Sequence, residues 1–307
     1  MTKNQEIQIV YNFTKPMPLN RDINKSRIKV EVRENPQPID NKLEEEIEKC
    51  WINSNIKKKL SNNIIPYLAS PVIKRGGSYQ ILTEARGFRY TQAFNRDQDF
   101  YEKWDDLKRY SLLSLSTHCH ILTQDGKILF GTKRNQSNQI SGFGGFPNIQ
   151  EDTKIVKKIK CLDLFQTVKN RLSPEIGKLI EYIDSISSLG ITYVNTPALR
   201  GTDLDFLVRF RIKSGEFKEK FQQTNQFDRE LYAVDFSPEK ITNFLREIKF
   251  NGKEISKYAL GALYLEIYSY HGKESAKRFL DFLRKEQKIF ISSSFNIDYF
   301  KNGKKRY

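Results

Sequence analysis

Cysteine is scarce in this sequence, long apolar runs are missing, and acids are too few to balance the bases. The three cysteines, Cys50, Cys119 and Cys161, are odd in number, widely separated and form no CxxC pair. That pattern argues against a disulfide scaffold, a zinc knuckle and a redox motif. No apolar stretch approaches the ~18 residues of a membrane span, and the opening MTKNQE lacks the basic and apolar blocks of a signal peptide. The expectation is a soluble, cytoplasmic protein with no membrane partner. No internal repeat or low-complexity linker is visible. The deficit of acids leaves 52 Lys+Arg against 37 Asp+Glu, a formal charge of +15, which favours anionic partners. What is present suffices for a packed interior. The 307 residues are 38% hydrophobic and 12% aromatic, too rich for a disordered chain, and the length suits roughly two domains.

Local patterns give an order of elements. Residues 7–13 and 27–33 read as strands, the second because Ile28, Val30 and Val32 alternate with charged neighbours. Asp40 is placed to cap a helix with Glu44, Glu45 and Glu46 in its early turns, Leu43, Ile47, Cys50 and Trp51 on one face, and Lys57, Lys58 and Lys59 near its end. The lysine triplet is read as a solvated helix terminus. Short strands are expected at 79–82 and 87–93. The polar stretch 95–106 is the best boundary, dividing a smaller N-terminal α+β domain (1–107) from a larger one (108–290) with a basic tail (291–307).

In the larger part Asp125-Gly126, flanked by apolar runs, predicts a hairpin over 117–131 with a type I′ turn. Alternation puts Cys119 in the core and His118 and His120 together on the opposite face. A helix is expected at 161–171, and strands at 191–194, 206–212 and 231–236. Ser237-Pro238 marks a helix start, 258–268 a buried helix and 273–288 an amphipathic one. The fold class is α/β or α+β: a mixed sheet with helices on both sides.

Between hairpin and helix lies the segment Ser141-Gly-Phe-Gly-Gly-Phe-Pro147. Gly145 and Glu151 stand at G-x5-E spacing, and Asn170-Arg-Leu-Ser-Pro-Glu-Ile-Gly177 lies over R-E-U-x-E-E-x-G, where U is bulky and aliphatic, after about eleven extra residues that include Lys157, Lys158 and Lys160. With this order of elements, residues 108–270 resemble the Nudix hydrolase domain. A looser resemblance is to the group with an extra N-terminal domain that includes UDP-sugar pyrophosphatase-like proteins. Leu172, Glu175 and Gly177 keep their box positions, whereas Arg171 and Pro174 fall on two metal-ligand positions, Asn170 on the orienting arginine and Lys178 on the closing aliphatic residue.

The resemblance implies recognition of a nucleoside diphosphate linked to another moiety, with Glu175 and Glu151 as catalytic residues and Mg²⁺ or Mn²⁺ held by Glu175. Asp163, Asp203 and Asp205 are candidates to replace the lost carboxylates, since a pyrophosphate site needs clustered hard ligands; the other reading of each is a surface or capping aspartate. Substitution of the ligand positions predicts weak or lost hydrolysis. Substrate-binding candidates are Lys133 and Arg134, which offer positive charge, and Gly144 and Gly145, whose backbone can approach a phosphate. His118 and His120 share a strand face, as two imidazoles on one metal would, or line a polar pocket. Other readings stay open. Ser173-Pro174-Glu175 is also a helix start, with Glu175 merely complementing a dipole. In function, the rival is a catalytically silent Nudix fold that senses a nucleotide, holds RNA, or serves as a subunit with a protein partner.

Overall fold

Sixteen strands among the described residues join one mixed sheet. The computed structural model describes residues 6–58, 61–96, 113–133, 136–196, 199–224 and 230–292. The elements are β1 (Glu6–Pro18), β2 (Ile28–Arg33), α1 (Asn41–Lys58), β3 (Ile64–Leu68), β4 (Ile73–Arg75), β5 (Ser78–Gly87), α2 (Arg89–Arg96), β6 (Leu113–Leu122), β7 (Lys127–Lys133), β8 (Gln136–Ser141) and β9 (Phe143–Gly145). There follow β10 (Thr153–Val156), β11 (Ile159–Leu162), α3 (Leu164–Ile176), β12 (Ile183–Thr196), β13 (Leu199–Phe210), α4 (Ser214–Thr224), β14 (Leu231–Asp235), α5 (Pro238–Phe250), β15 (Glu254–Ile255), α6 (Lys257–Phe282) and β16 (Phe290–Ser292). No described helix is long and apolar enough to cross a membrane.

The longest path through the sheet is β10-β11-β2-β5-β3-β6-β13-β12-β1-β16. Strand β6 is its pivot. It meets β3 through Leu113 and Ser114, runs parallel to β13 from Leu115 to Leu122, and takes β9 against Thr117–Cys119 and β7 against its end. Helices cover both faces. On one, Cys119, Ile121 and Phe206 pack with Val168 and Leu172 of α3 and with Phe217 and Phe221 of α4. On the other, Leu122, Ile128 and Leu207 pack with Leu245 of α5 and Leu260 and Leu263 of α6. A separate cluster seats Leu43 and Ile47 of α1 against Tyr67, Tyr90 and Ala93.

The expected division at 107/108 is crossed by four strand pairings, that of β3 with β6 among them. β1 pairs with β12 and β16, and β2 pairs with β11, so the first and second parts share a sheet; most of the boundary stretch 95–106 lies outside the described residues. The supposed tail opens with the end of β16, and 293–307 lie outside the described residues.

Several patterns behave as read. Ile28, Val30 and Val32 are buried in β2, Asp40 accepts bonds from Lys42 N and Leu43 N, and Ser237 caps α5 with Pro238 first. The two C-terminal helical segments are continuous except at Gly272 (φ 81°). Others differ. Residues 89–96 are helix α2 rather than strand, because Tyr90 and Ala93, three apart, face α1, and Asn62 Oδ1 accepts from Arg89 N. The hairpin exists, but its turn is not type I′. Gly126 N donates to Thr123 O, Thr123 N to Lys127 O, and only Gly126 (φ 74°) has positive φ, which is a type I turn closed by a glycine bulge.

Asp125 serves that turn differently from the expectation. Its carboxylate accepts from Thr123 Oγ1 (2.6 Å), Ser214 N (2.8 Å) and Ser214 Oγ (2.7 Å), anchoring the start of α4. Partial burial raises its pKa, but these bonds outweigh that and hold it at about 2. A depressed carboxyl stabilises the fold above its unfolded value of 3.8 and loses that contribution as pH falls towards 2. The site is largely solvated, so Asp125→Asn is expected to cost only about 1 kcal/mol at neutral pH. In urea titrations that deficit should vanish near pH 2.

Candidate functional site

The box residues assemble at the end of α3 that faces β9. Gly144 (φ 135°) lies so close to β6 that a Cβ there would fall 2.2 Å from Thr117 O, so only glycine fits. This approach brings Gly144 N to Glu175, whose Oε1 accepts its hydrogen bond at 2.9 Å. The alternative reading of Glu175 as part of a helix start is not what forms. Pro174 lies inside α3, which runs through it to Ile176 and is followed by a 3-10 turn, Gly177–Tyr182. Glu175 therefore sits at the helix's negative end, where a carboxylate is disfavoured. The amide of Gly144 offsets that.

Arg171 is the hub of the other half. Its Nη1 donates to Phe146 O (3.2 Å), and its Nη2 lies 3.6 Å from Glu151 and 3.7 Å from Asp152. Asp152 is fully buried and takes hydrogen bonds from Asn148 N (2.8 Å) and Asn170 Nδ2 (2.6 Å), while its backbone oxygen accepts from Asp163 N. Two of the positions that depart from the box pattern, Asn170 and Arg171, thus converge on one carboxylate. Asp163, a ligand candidate with capping as its other reading, is the N-cap of α3, accepting from Gln166 N, and its outer oxygen pairs with Lys154 at 2.6 Å.

Asp203 and Asp205 lie on the other side of β6. The register sets Asp203 beside Ser116 and Asp205 beside His118, and alternation turns both towards α6 while Leu204 and Phe206 fill the core shared with α3. Neither is a surface aspartate, and neither faces α3. Asp203 accepts a hydrogen bond from Ser116, and Asp205 Oδ1 is 3.7 Å from His118 Nδ1. Burial first, then the neighbouring Asp203, pushes the Asp205 carboxyl well above its usual range. His120 Nδ1 is 2.9 Å from Oε1 of Glu266 on α6, both fully buried. Burial lowers His120 to about 3 and raises Glu266 far above 4.5, so the pair is neutral, with the carboxyl O–H donating to the imidazole. The two imidazole rings meet edge to face at 4.8 Å.

Cys119, between the histidines on the strand, points into the core as expected, and burial, then Glu175 and the three acids opposite, raises its thiol. β6 therefore separates two polar groups, the box on the α3 face and a proton-holding array beneath α6. Lys133 ends β7, with its side chain outside the described residues, as is all of Arg134.

As a home for Mg²⁺ or Mn²⁺ the donor set fits poorly. Among the described residues no group of three or more His, Cys, Asp or Glu side chains converges, and the box carboxylates face a guanidinium. Sequence reasoning missed Asp152 and Glu266. Asp152 is adjacent to Glu151, and Glu266 is the one acid in the otherwise apolar Tyr258–Tyr268 segment, a placement that itself signals a buried partner. No protein-family model matches the chain, and a search of curated proteins finds no match to it.

Proposed function

We propose that the chain is a Nudix-like protein that recognises a nucleoside diphosphate linked to another moiety, such as a nucleotide sugar, and has lost effective metal-dependent hydrolysis of it. One observation carries the reading: Arg171 occupies a ligand position and directs its cation at Glu151 and Asp152. The other acid of the box, Glu175, is engaged by a backbone amide. Breaking a pyrophosphate linkage builds charge on the bridging oxygen, and the metal stabilises it and activates water. A guanidinium supplies donors and one positive charge but generates no hydroxide. Those three acids with one arginine leave this group net negative, so phosphate attraction must come from basic residues outside it, in keeping with the chain's formal charge of +15.

The test is turnover of ADP-ribose and UDP-glucose with Mg²⁺ or Mn²⁺, alongside calorimetric binding of the same compounds. Binding without release of nucleoside monophosphate is expected, because each 1.36 kcal/mol of lost transition-state stabilisation is about tenfold in rate. Robust turnover that Glu175→Gln abolishes would overturn the proposal.

A further inference from the structure

The eleven-residue excess in the box is folded. Its strands β10 and β11 form a hairpin in which Val156 pairs with Ile159, leaving Lys157 (φ 49°) and Lys158 (φ 70°) as a two-residue turn. Positive φ at both central positions is the type I′ geometry, where Asn-Gly or Gly-Gly is favoured because a Cβ is crowded. Two lysines there are strained, and they put two like charges on one turn. The other hairpin lysines are neutralised, Lys154 by Asp163 at 2.6 Å and Lys160 by Glu34 at 2.5 Å. Lys157 and Lys158 are exposed and have no acidic partner among the described residues. The tip lies at the sheet's edge, since β10 pairs only with β11 among the described strands.

We propose that this tip contacts the phosphate backbone of a nucleic acid. An acidic peptide in extended form turns successive carboxylates to opposite sides, whereas a nucleic-acid strand presents successive phosphates along one backbone, suited to two neighbouring point charges. The contact positions without reading sequence, because lysine lacks arginine's planar fork and residues 153–162 contain no aromatic ring on which a base could stack. The tip includes none of the box residues, so the inference survives whether or not the box binds a nucleotide.

Strain makes the test selective. The full chain is titrated against a fluorescent oligouridine of about 16 nucleotides, following anisotropy from about 50 to about 200 mM NaCl. Lys157→Asn with Lys158→Gly should raise the melting temperature by about 2–4 °C while weakening RNA binding at least about tenfold. The slope of log affinity against log salt should become shallower by about 1.4, two charges' worth for a single strand. Lys157→Glu with Lys158→Glu should weaken binding further. The proposal is overturned if the unaltered protein does not bind the oligonucleotide, or if the Asn-Gly turn stabilises the fold and leaves affinity or salt slope unchanged.

Discussion

Above pH 6.5 the protein is expected to lose about 1.4 kcal/mol of stability per pH unit through a single buried pair, His120 and Glu266. The pair, fully buried, holds one proton in the fold. In the unfolded chain Glu266 titrates near 4.5 and His120 near 6.5, so that state also holds one proton between those values, and stability is flat there. Above 6.5 the unfolded pair holds none, while the raised carboxyl of folded Glu266 keeps its proton, so rising pH favours unfolding. Below 4.5 the unfolded pair holds two, and His120, at about 3 in the fold, resists the second, costing roughly 2 kcal/mol by pH 3. Asp205, also raised, adds a loss of the same sign that begins above its unfolded value of 3.8. Glu266→Gln keeps a neutral hydrogen-bonding partner for His120 but cannot ionise, so the gap in melting temperature between variant and parent should move in the variant's favour as pH rises past 6.5. Parallel pH profiles for the two proteins would refute the shared-proton account.

The second large effect is expected at Gly144. Alanine there meets both a positive φ of 135° and a backbone oxygen at 2.2 Å, so β9 must separate from β6 and the Gly144–Glu175 bond must go with it. Gly144→Ala should cost at least about 3 kcal/mol or prevent folding. Gly126→Ala is the control. That position has positive φ (74°) but nothing within 4 Å of a Cβ, and should cost only about 1 kcal/mol. Urea denaturation, or soluble yield where the variant does not fold, ranks them. Equal tolerance at the two positions would mean the close approach of β9 to β6 is not held.

What the sequence made legible follows from which forces are local. Ile28, Val30 and Val32 alternate because one face of β2 is buried, and Ser237-Pro238 starts α5 because the cap bonds lie within one turn. Helix α2 was hidden because what fixes it is remote: Asn62 caps it, and Glu44 and Glu48 on α1 hold Arg89. Its residues Phe88-Arg-Tyr-Thr91 suit a strand as well as a helix by themselves. The passage of α3 through Pro174 was equally nonlocal. Sequence reasoning leaves open a helix start at Ser173, yet Leu172 and Ile176 are both fully buried in the core beside Val168, and packing outweighs the proline's missing hydrogen bond. The partners of β1 in β12 are about 170 to 190 residues away, beyond any periodicity.

The candidate site divides along the same line. Gly145, Glu151 and Glu175 were singled out by spacing, and Gly144 as half of a glycine pair. That His118 and His120 would share a face also followed from alternation, but Glu266 as the partner of His120 depended on how α6 lies over the sheet. Asp203 and Asp205 stood out as acids after Gly201. Their facing α6 rather than α3 came from the parallel register with β6, which no single strand encodes. Arg171 read as a hindrance to metal binding. In the fold it acquires a positive role, tying the loop at Phe146–Asp152 to α3.

The central claim is that Arg171 closes the box against a divalent cation, and a calorimetric titration of Mn²⁺ into the unaltered protein, Arg171→Glu and Glu175→Gln tests it most directly. The account predicts no tight Mn²⁺ site in the unaltered protein and a gain of Mn²⁺ affinity in Arg171→Glu, where a third carboxylate joins Glu151 and Asp152. A tight site already present in the unaltered protein and lost in Glu175→Gln would contradict it and return the chain to the metal-dependent hydrolases.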